Sequence, residues 1–331
     1  MIKELFFAAA LLVPSLACAG NPSASLSVQV IPAGSAPAGA QAAGYTTLAF
    51  HSDFTQPFYS NLSNWLDCAG AASPQWWIGG GNGQSPPPCS RISMINDGGM
   101  QVMDMRFTAA DAGSLGTVLT TLNALGQKYS QGVDFPNGAY WQATFRVLPN
   151  GLNNNPFGTL IAAWWSWSDT GQSSGTAFQE RDFLEEYGTG CCHNDAGLVE
   201  WNAPSGQTNV LLAGFGQPEY QIDPTVYHTI AARVTQDGST NEAMCLYIDG
   251  VLQNCRDMIG AGNTGGSAIT SSQLNQRNYP ILQIGPLNAT PVAATIDMLV
   301  QDVQIWTCSA WQGPLNRPGN ACNGPVLTGA P

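Results

Sequence analysis

The stretch FQERDFLEE, residues 178–186, decides which fold and chemistry this sequence predicts. Only 10% of the 331 residues are charged, yet four carboxylates and one arginine occupy the seven positions 180–186. Such a cluster is either a solvated surface segment or a group of acids that work together. The choice between these interpretations depends on which faces the segment presents, and therefore on its secondary structure.

If the stretch is a β-strand, Glu180 and Asp182 point to one face, and regular alternation sends Glu185 to the other. One extra residue at Phe183 or Leu184, a β-bulge, would return Glu185 to the face of the first two acids. We therefore expect a bulged strand that presents three carboxylates on one face.

Three neighbouring carboxylates repel one another, and this repulsion raises the proton affinity of at least one of them at neutral pH. Retaining glycoside hydrolysis needs such an arrangement, because an ionised carboxylate attacks the sugar while a protonated carboxyl roughly 5 Å away releases the leaving group. The acid strand, as we call residues 178–186, is thus a candidate catalytic element for sugar hydrolysis.

The rest of the chain is typical of an all-β protein. Short runs that alternate apolar and polar residues are separated by Gly, Pro, Asn and Asp. These runs are MQVMDMRF (100–107), YWQATFRVL (140–148), TLIAAWWSW (159–167), TIAARV (229–234), MCLYIDGVLQ (244–253) and MLVQDVQIW (298–306). Within one run, Asp249-Gly250 predicts a hairpin turn. The pattern predicts a two-sheet antiparallel β-sandwich, which at this length forms one domain.

The segment ERDFLE, Glu180 to Glu185, resembles the E-x-D-x-x-E signature of glycoside hydrolase family 16, the laminarinase and lichenase group. Further stretches resemble that family's strands in the same order: FHSDFTQPF (50–58), GAYWQATFRVLPNG (138–151), AAWWSW (162–167), VYHTIAARV (226–234), LYIDGVL (246–252) and MLVQDVQIW (298–306). The resemblance implies a concanavalin A-like β-jelly roll with a concave substrate cleft. It also implies Glu180 as nucleophile, Asp182 as the residue that tunes the acid pair and Glu185 as acid/base.

The chain departs from that family's pattern in two places. The family usually has an aliphatic residue between the first Glu and the Asp, because that position faces the space between the sheets, and here it is Arg181. A guanidinium there must be paired, since an unpaired buried charge is strongly destabilising. The strand after His228 normally ends in a cleft tryptophan, and here it has Arg233 and Val234. Both departures bear on the substrate and on whether activity is retained.

Clustered aromatic residues predict the sugar-contacting surface, because an indole offers a flat apolar face and one donor. Trp165 and Trp167 share one strand face and Trp164 takes the other. We expect the first two in the cleft and the third in the core. His228 is either a sugar contact or a hydrogen-bonded structural histidine. The predicted substrate-binding residues are Trp165, Trp167, His228, Trp201 and Trp77.

The charge balance argues against anionic partners. With 22 acidic against 10 basic residues, the surface does not attract a polyanion, so we expect neither nucleic acid nor a membrane as a partner. The expected partner is a polysaccharide substrate, and we expect the protein to be a monomer. No cofactor and no metal are expected, and a structural calcium ion is not indicated.

The first residues, MIKELFFAAALLVPSLACAG, are typical of a secretory signal, with a charged start, an apolar run and small residues before a cleavage site after Ala19. The apolar run is shorter than the roughly 20 residues that a spanning helix needs. We therefore expect a secreted protein, extracellular or periplasmic. The expected division is a signal peptide (1–19), a flexible leader (20–44), a β-jelly-roll catalytic domain (45–307) and a disulfide-pinned C-terminal tail (308–331).

Eight cysteines remain once the signal is removed, and an even number in an exported chain indicates disulfides. Spacing suggests the pairs Cys68–Cys89, Cys245–Cys255 and Cys308–Cys322. Cys191 and Cys192 would then bond each other or rearrange a neighbouring pair, so the connectivity stays open. A metal site at CCH, 191–193, is the alternative, and three histidines in the whole chain and no CxxC pair argue against it.

The sequence thus predicts a secreted retaining endo-glycoside hydrolase that cleaves a neutral polysaccharide, with a β-glucan as the expected substrate. One alternative is a non-catalytic, lectin-like jelly roll, which has no need of three repelling acids. A second alternative is a polysaccharide lyase of similar fold. Lyases act on uronates and need a basic cleft, which this acidic chain supplies poorly.

Overall fold

Fifteen strands and one short helix make up the described part of the chain in the computed structural model. The structure describes residues 35–54, 76–80, 91–108, 117–120, 138–148, 160–168, 178–186, 194–202, 206–213, 223–236, 242–257, 278–286 and 295–308. The elements are α1 (Ala38–Gln41), β1 (Thr47–Ser52), β2 (Trp77–Gly80), β3 (Ile92–Asp97), β4 (Met100–Phe107), β5 (Thr117–Thr120), β6 (Ala139–Leu148), β7 (Leu160–Ser168), β8 (Phe178–Glu186), β9 (Asn194–Asn202), β10 (Gly206–Ala213), β11 (His228–Gln236), β12 (Glu242–Ile248), β13 (Val251–Asp257), β14 (Asn278–Pro286) and β15 (Ile296–Thr307).

The strands form two antiparallel sheets, which confirms the predicted all-β sandwich. The eight-stranded sheet has the order β13-β12-β11-β6-β15-β4-β3, and β1 pairs with β15 beside this path. The seven-stranded sheet has the order β10-β9-β8-β7-β14-β5-β2. The acid strand is therefore β8, in the interior of the second sheet.

The main core lies between the sheets, where alternate residues of each strand meet. In β6, Trp141 and Phe145 belong to this core, as alternation requires. The ring centroid of Phe183, in the acid strand, lies 5.7 Å from that of Trp141 and 5.4 Å from that of Trp164. Since Trp141 lies in the eight-stranded sheet and Trp164 in the seven-stranded sheet, Phe183 joins the two sheets at the level of the acids.

The hairpin between β12 and β13 confirms the turn predicted from Asp249-Gly250. Both residues have positive φ, 52° and 77°, as a two-residue type I′ turn requires. Each predicted run of alternating residues also coincides with one strand, except MCLYIDGVLQ (244–253), which coincides with this hairpin. Alternation and turn chemistry therefore explain most of the described backbone.

The folded unit begins before Tyr45, the predicted domain boundary. Residues 36–45, which we call the N-terminal strap, pack on the face of the eight-stranded sheet that is turned away from the main core. There the strap forms a second small cluster with Tyr140, Tyr247 and Trp306. The Tyr45 hydroxyl donates a hydrogen bond to the Val234 carbonyl oxygen at 2.7 Å. Residues 36–44 of the predicted leader thus pack against the sheet, while 20–34 lie outside the described residues.

A disulfide joins Cys245 and Cys255 across β12 and β13, with an S–S distance of 2.04 Å, as predicted. Cys308 is also disulfide-bonded. The other five cysteines that follow the predicted signal lie outside the described residues, so their pairing stays a prediction. Among the described residues, no helix is long and apolar enough to cross a membrane.

Candidate active site

The acid strand contains the predicted β-bulge. Its register against β7 shifts between Asp182 and Leu184, which leaves Phe183 as the extra residue. Its register against β9 shifts over the same part of the strand, between Asp182 and Glu185. A bulge at Phe183 or Leu184 was expected from the spacing of the acids, and the strand register confirms it.

The bulge determines which residues of β7 lie opposite the three acids. The pairs are Glu180 with Trp167, Asp182 with Trp165, and Glu185 with Ala163. The three partners are every second residue of β7 and so lie on one face of the sheet. Strand positions 180, 182 and 185 therefore share that face, which we call the acid face, because paired residues of adjacent strands lie on the same side.

The opposite face of the acid strand belongs to the main core. Phe183 and Leu184 both lie in that core, together with Trp164, the partner of Leu184. Two consecutive residues on one face are the expected result of a bulge. Trp164 is thus a core residue, as expected, whereas Trp165 lies on the acid face.

One row of paired residues crosses the acid face from the sheet edge to the acid strand and beyond. The row consists of Trp77, Thr120, Ile281, Trp165, Asp182 and Gly197. It brings the predicted residues Trp77, Trp165 and Asp182 into register although they are far apart in sequence. The strand position beside Asp182 on β9 is Gly197.

The described part of the acid face is largely buried. Asp182 is 5% exposed and Trp165 8%, and Ile281 and Tyr279 are fully buried. Tyr279 pairs with Trp167 and so belongs to the next row of the same face. The sequence alone does not identify Tyr279 as a site residue, because it belongs to no motif. Only its spacing from Ile281 in β14 places it on the acid face. Burial reduces the water around these groups and strengthens the electrostatic interactions among them.

Several predicted site residues are described only as strand positions. The side chains of Glu180, Glu185, Trp167, Trp201 and Trp77 lie outside the described part of the structure. Position 201 pairs with 178, two residues from position 180, and therefore falls on the acid face. The catalytic and binding roles assigned to these residues stay predictions.

His228 lies in the other sheet, at the start of β11, and is not brought to the acid strand. Its Nδ1 lies 2.8 Å from Asp249 Oδ2 and its Nε2 lies 3.1 Å from the Asp223 carbonyl oxygen. Since both ring nitrogens have protein partners, the geometry favours the structural histidine among the two expected roles.

The residues that replace the cleft tryptophan of the family's pattern also lie in the eight-stranded sheet. Arg233 is buried beside the cluster that the N-terminal strap covers, where its Nη2 donates to Cys245 Sγ at 3.2 Å. Its guanidinium carbon lies 5.8 Å from the centre of the Tyr247 ring. Val234 points into the main core. Neither residue lies on the acid face.

The part of the chain that the structure describes gives no support for a metal centre. No group of three or more His, Cys, Asp or Glu side chains there is arranged to hold a metal ion. Residues 191–193, the CCH segment, lie outside the described residues. The expectation that the protein needs no cofactor or metal therefore stays untested.

No protein-family model matches the chain, and no curated protein matches it. Its fold is similar to several solved structures. A laminarinase from a Flavobacterium species is 13% identical, with 79% of this chain and 100% of that chain covered and a TM-score of 0.47. A lichenase from a mouse hindgut metagenome is 14% identical, with 77% and 97% covered and a TM-score of 0.46. A family 16 glycosyl hydrolase from Mycobacterium smegmatis is 13% identical, with 78% and 100% covered and a TM-score of 0.46. At these identities and TM-scores, the likeness assigns no function to this chain.

Proposed function

We propose that this protein is an exported, retaining endo-glycoside hydrolase that cleaves a neutral polysaccharide, with a β-glucan as the expected substrate. The observation that carries the proposal is the bulge at Phe183. It aligns positions 180, 182 and 185 with every second residue of β7, so the three acids of the E-x-D-x-x-E pattern fall on one face. A regular strand would separate the third acid from the first two.

In this mechanism the Glu180 carboxylate attacks the anomeric carbon, while the Glu185 carboxyl donates its proton to the glycosidic oxygen. The bond to the leaving sugar breaks and a glycosyl-enzyme ester forms on Glu180. Glu185, now ionised, takes a proton from a water molecule. The oxygen of that water attacks the anomeric carbon, and the ester bond to Glu180 breaks. Two inversions at the anomeric carbon retain its configuration. Asp182, between the two in sequence, adds negative charge that favours the protonated form of Glu185.

The acid face also suits a neutral sugar chain. Trp165 is beside Asp182 in the cross-strand row, and position 77 lies at the end of the same row. Aromatic faces bind the C–H faces of sugar rings, and an acidic surface disfavours a polyanionic substrate. Trp77, Trp165, Trp167 and Trp201 are therefore the proposed sugar contacts.

Export of the protein is part of the proposal. The Cys245–Cys255 disulfide supports it, because disulfides persist mainly in oxidising compartments outside the cytosol.

The test is hydrolysis of a panel of polysaccharides, measured as reducing ends released by wild type and by Glu180→Gln. The amide is nearly isosteric but cannot form the ester, so we expect the rate to fall by several orders of magnitude while polysaccharide binding persists. Glu242→Gln, in β12 of the other sheet, is the matched control and should keep wild-type activity. Full activity of Glu180→Gln would overturn the assignment. Binding without hydrolysis by wild type would favour the lectin-like alternative, and activity on uronates alone would favour a lyase.

A further inference from the structure

A buried arginine is in direct contact with the Cys245–Cys255 disulfide. Arg233 is 2% exposed, and its Nη2 donates to Cys245 Sγ at 3.2 Å. The contact follows from the strand register, which forms one row of paired residues on the face of the eight-stranded sheet that is turned away from the main core. The row runs Cys255, Cys245, Arg233, Tyr140 and Trp306. Arg233 thus has the disulfide on one side and a tyrosine on the other, and this row contains no acid.

The described neighbours of the Arg233 guanidinium offset its charge only weakly. An arginine stays protonated even when it is buried. The guanidinium carbon lies 5.8 Å from the centre of the Tyr247 ring, and Nε has no hydrogen-bond partner among the described residues. Burial raises the pKa of Tyr140 and of Tyr247, so neither phenol supplies a negative charge near neutral pH. A disulfide sulfur and an aromatic ring offset a buried charge less than an anion does.

Reduction of the disulfide would place an anion beside this charge. A thiolate on Cys245 would lie at the guanidinium that its sulfur contacts in the oxidised protein, and a neighbouring arginine lowers the pKa of a thiol. A buried ion pair usually has to offset the desolvation of both ions. Here Arg233 is already desolvated in the oxidised protein, so only the desolvation of the thiolate opposes the gain. The contact therefore favours the reduced state.

We propose that the Cys245–Cys255 disulfide is a reversible redox site, at which a dithiol attacks Cys255 and Arg233 stabilises the Cys245 thiolate that leaves. The first thiolate of the dithiol bonds to Cys255 Sγ, the S–S bond breaks, and its electron pair stays on Cys245 Sγ. The second thiolate then attacks the sulfur of the dithiol that is bound to Cys255. The dithiol leaves as a disulfide, and the Cys255 thiolate takes a proton from water. A thiol of lower pKa is the better leaving group, which sets this direction.

The position of the two cysteines favours the same direction. Both are buried in the cluster that the N-terminal strap covers, so exchange requires a local opening. Cys255 lies in β13, which ends the described order of the eight-stranded sheet, and Cys245 lies one strand further in. An opening at this edge therefore reaches Cys255 first. Reduction removes the covalent link between β12 and β13, and this consequence does not depend on the proposed hydrolysis.

The first test measures the redox equilibrium of this disulfide in wild type, Arg233→Lys and Arg233→Met. Each protein is equilibrated with mixtures of reduced and oxidised dithiothreitol, quenched with acid and alkylated, and peptide mass spectrometry gives the state of Cys245 and Cys255. Arg233→Met removes the charge at similar length and should need a ratio of reduced to oxidised dithiothreitol about tenfold higher for half reduction. Arg233→Lys keeps a charge and should lie closer to wild type. Equal midpoints in wild type and Arg233→Met would overturn the inference.

The second test leaves Arg233 in place. Cys255→Ser leaves Cys245 as a thiol beside the guanidinium, and the ultraviolet absorbance of its thiolate is followed against pH as a difference from wild type. We expect the Cys245 thiol to titrate below the ordinary value of about 8.5. Titration at or above that value, as for a thiol buried among apolar groups, would overturn the inference.

The third test identifies the sulfur that is attacked in wild type. Brief exposure to glutathione, a monothiol, followed by an acid quench traps the mixed disulfide, and peptide mass spectrometry locates it. The adduct should be on Cys255. An adduct on Cys245 would contradict the role of Arg233 at the leaving sulfur.

Discussion

Asp104 in β4 shows, at the scale of one residue, how burial and a like charge act on a carboxyl group. Burial and, after it, the Asp297 carboxylate raise the pKa of Asp104 from 3.8 to about 6, against the opposing effect of Arg106. Arg106 is held mainly by Asp297, with Nε 2.6 Å from Oδ1, and lies 3.5 Å from Asp104. Since the folded-state pKa is the higher one, proton binding stabilises the fold below pH 3.8, and this stability is lost as pH rises through about 6.

Asp104→Asn should therefore stabilise the protein at neutral and alkaline pH, where the wild-type carboxyl is ionised. We expect the free energy of unfolding in urea to rise by roughly 1 kcal/mol at about pH 8 and to change little at about pH 4. The gain is smaller than the full pKa shift implies, because the contact with Arg106 is weakened as well.

Asp97→Asn is the matched control for that substitution. Asp97 accepts hydrogen bonds from Arg146 and from the Tyr227 hydroxyl, each at 2.6 Å. Its amide variant should lose stability at about pH 8, because charge-assisted hydrogen bonds are weakened. A loss of stability in Asp104→Asn at that pH would contradict the account of Asp104.

The packing of one element, the N-terminal strap, depends on a single small residue. A Cβ atom on Gly39 would lie 2.8 Å from Cε1 and Cζ of Tyr247 and 2.9 Å from Cε2 of Tyr140. Both rings are buried, and they pack against each other with centroids 5.6 Å apart. The strap can therefore approach the sheet this closely only with glycine at position 39.

Gly39→Ala should displace the strap, even though alanine is the better helix former. We expect a loss of about 1–3 kcal/mol in the free energy of unfolding, from overpacking against the two rings. Hydrogen exchange of residues 36–45 should become faster, while that of β7 and β8 stays unchanged. Ala38→Ser, at an exposed position of the same helix, is the control. Unchanged stability and unchanged exchange in Gly39→Ala would contradict the packing described.

For the molecule as a whole, alternation and turn chemistry were enough to predict the two-sheet class, because each strand carries its own period-2 pattern. The spacing of Glu180, Asp182 and Glu185 also predicted the bulge, since three acids on one face require an extra residue between the last two. The hairpin at Asp249-Gly250 followed from the residues themselves. These features are local, and a single segment contains the information that specifies them.

Features that depend on distant strands were not predictable in the same way. Apart from Gln41, the strap has only small residues and proline before Tyr45, a composition typical of a flexible segment, and its burial depends on Tyr140 and Tyr247. His228 was expected either as a sugar contact or as a structural histidine, because a strand's own pattern does not show which sheet it joins. The row that aligns Trp77 with Asp182 likewise depends on the order of five strands, which no single segment encodes.

The stereochemistry of the released sugar is the most direct test of the central claim, that Glu180 and Glu185 work as a nucleophile and acid/base pair on one face. Proton NMR should follow the anomeric signals of the first product before mutarotation, on the polysaccharide that gives the fastest release of reducing ends. Double displacement predicts that the new reducing end appears first in the β configuration. Initial appearance of the α anomer would contradict the account.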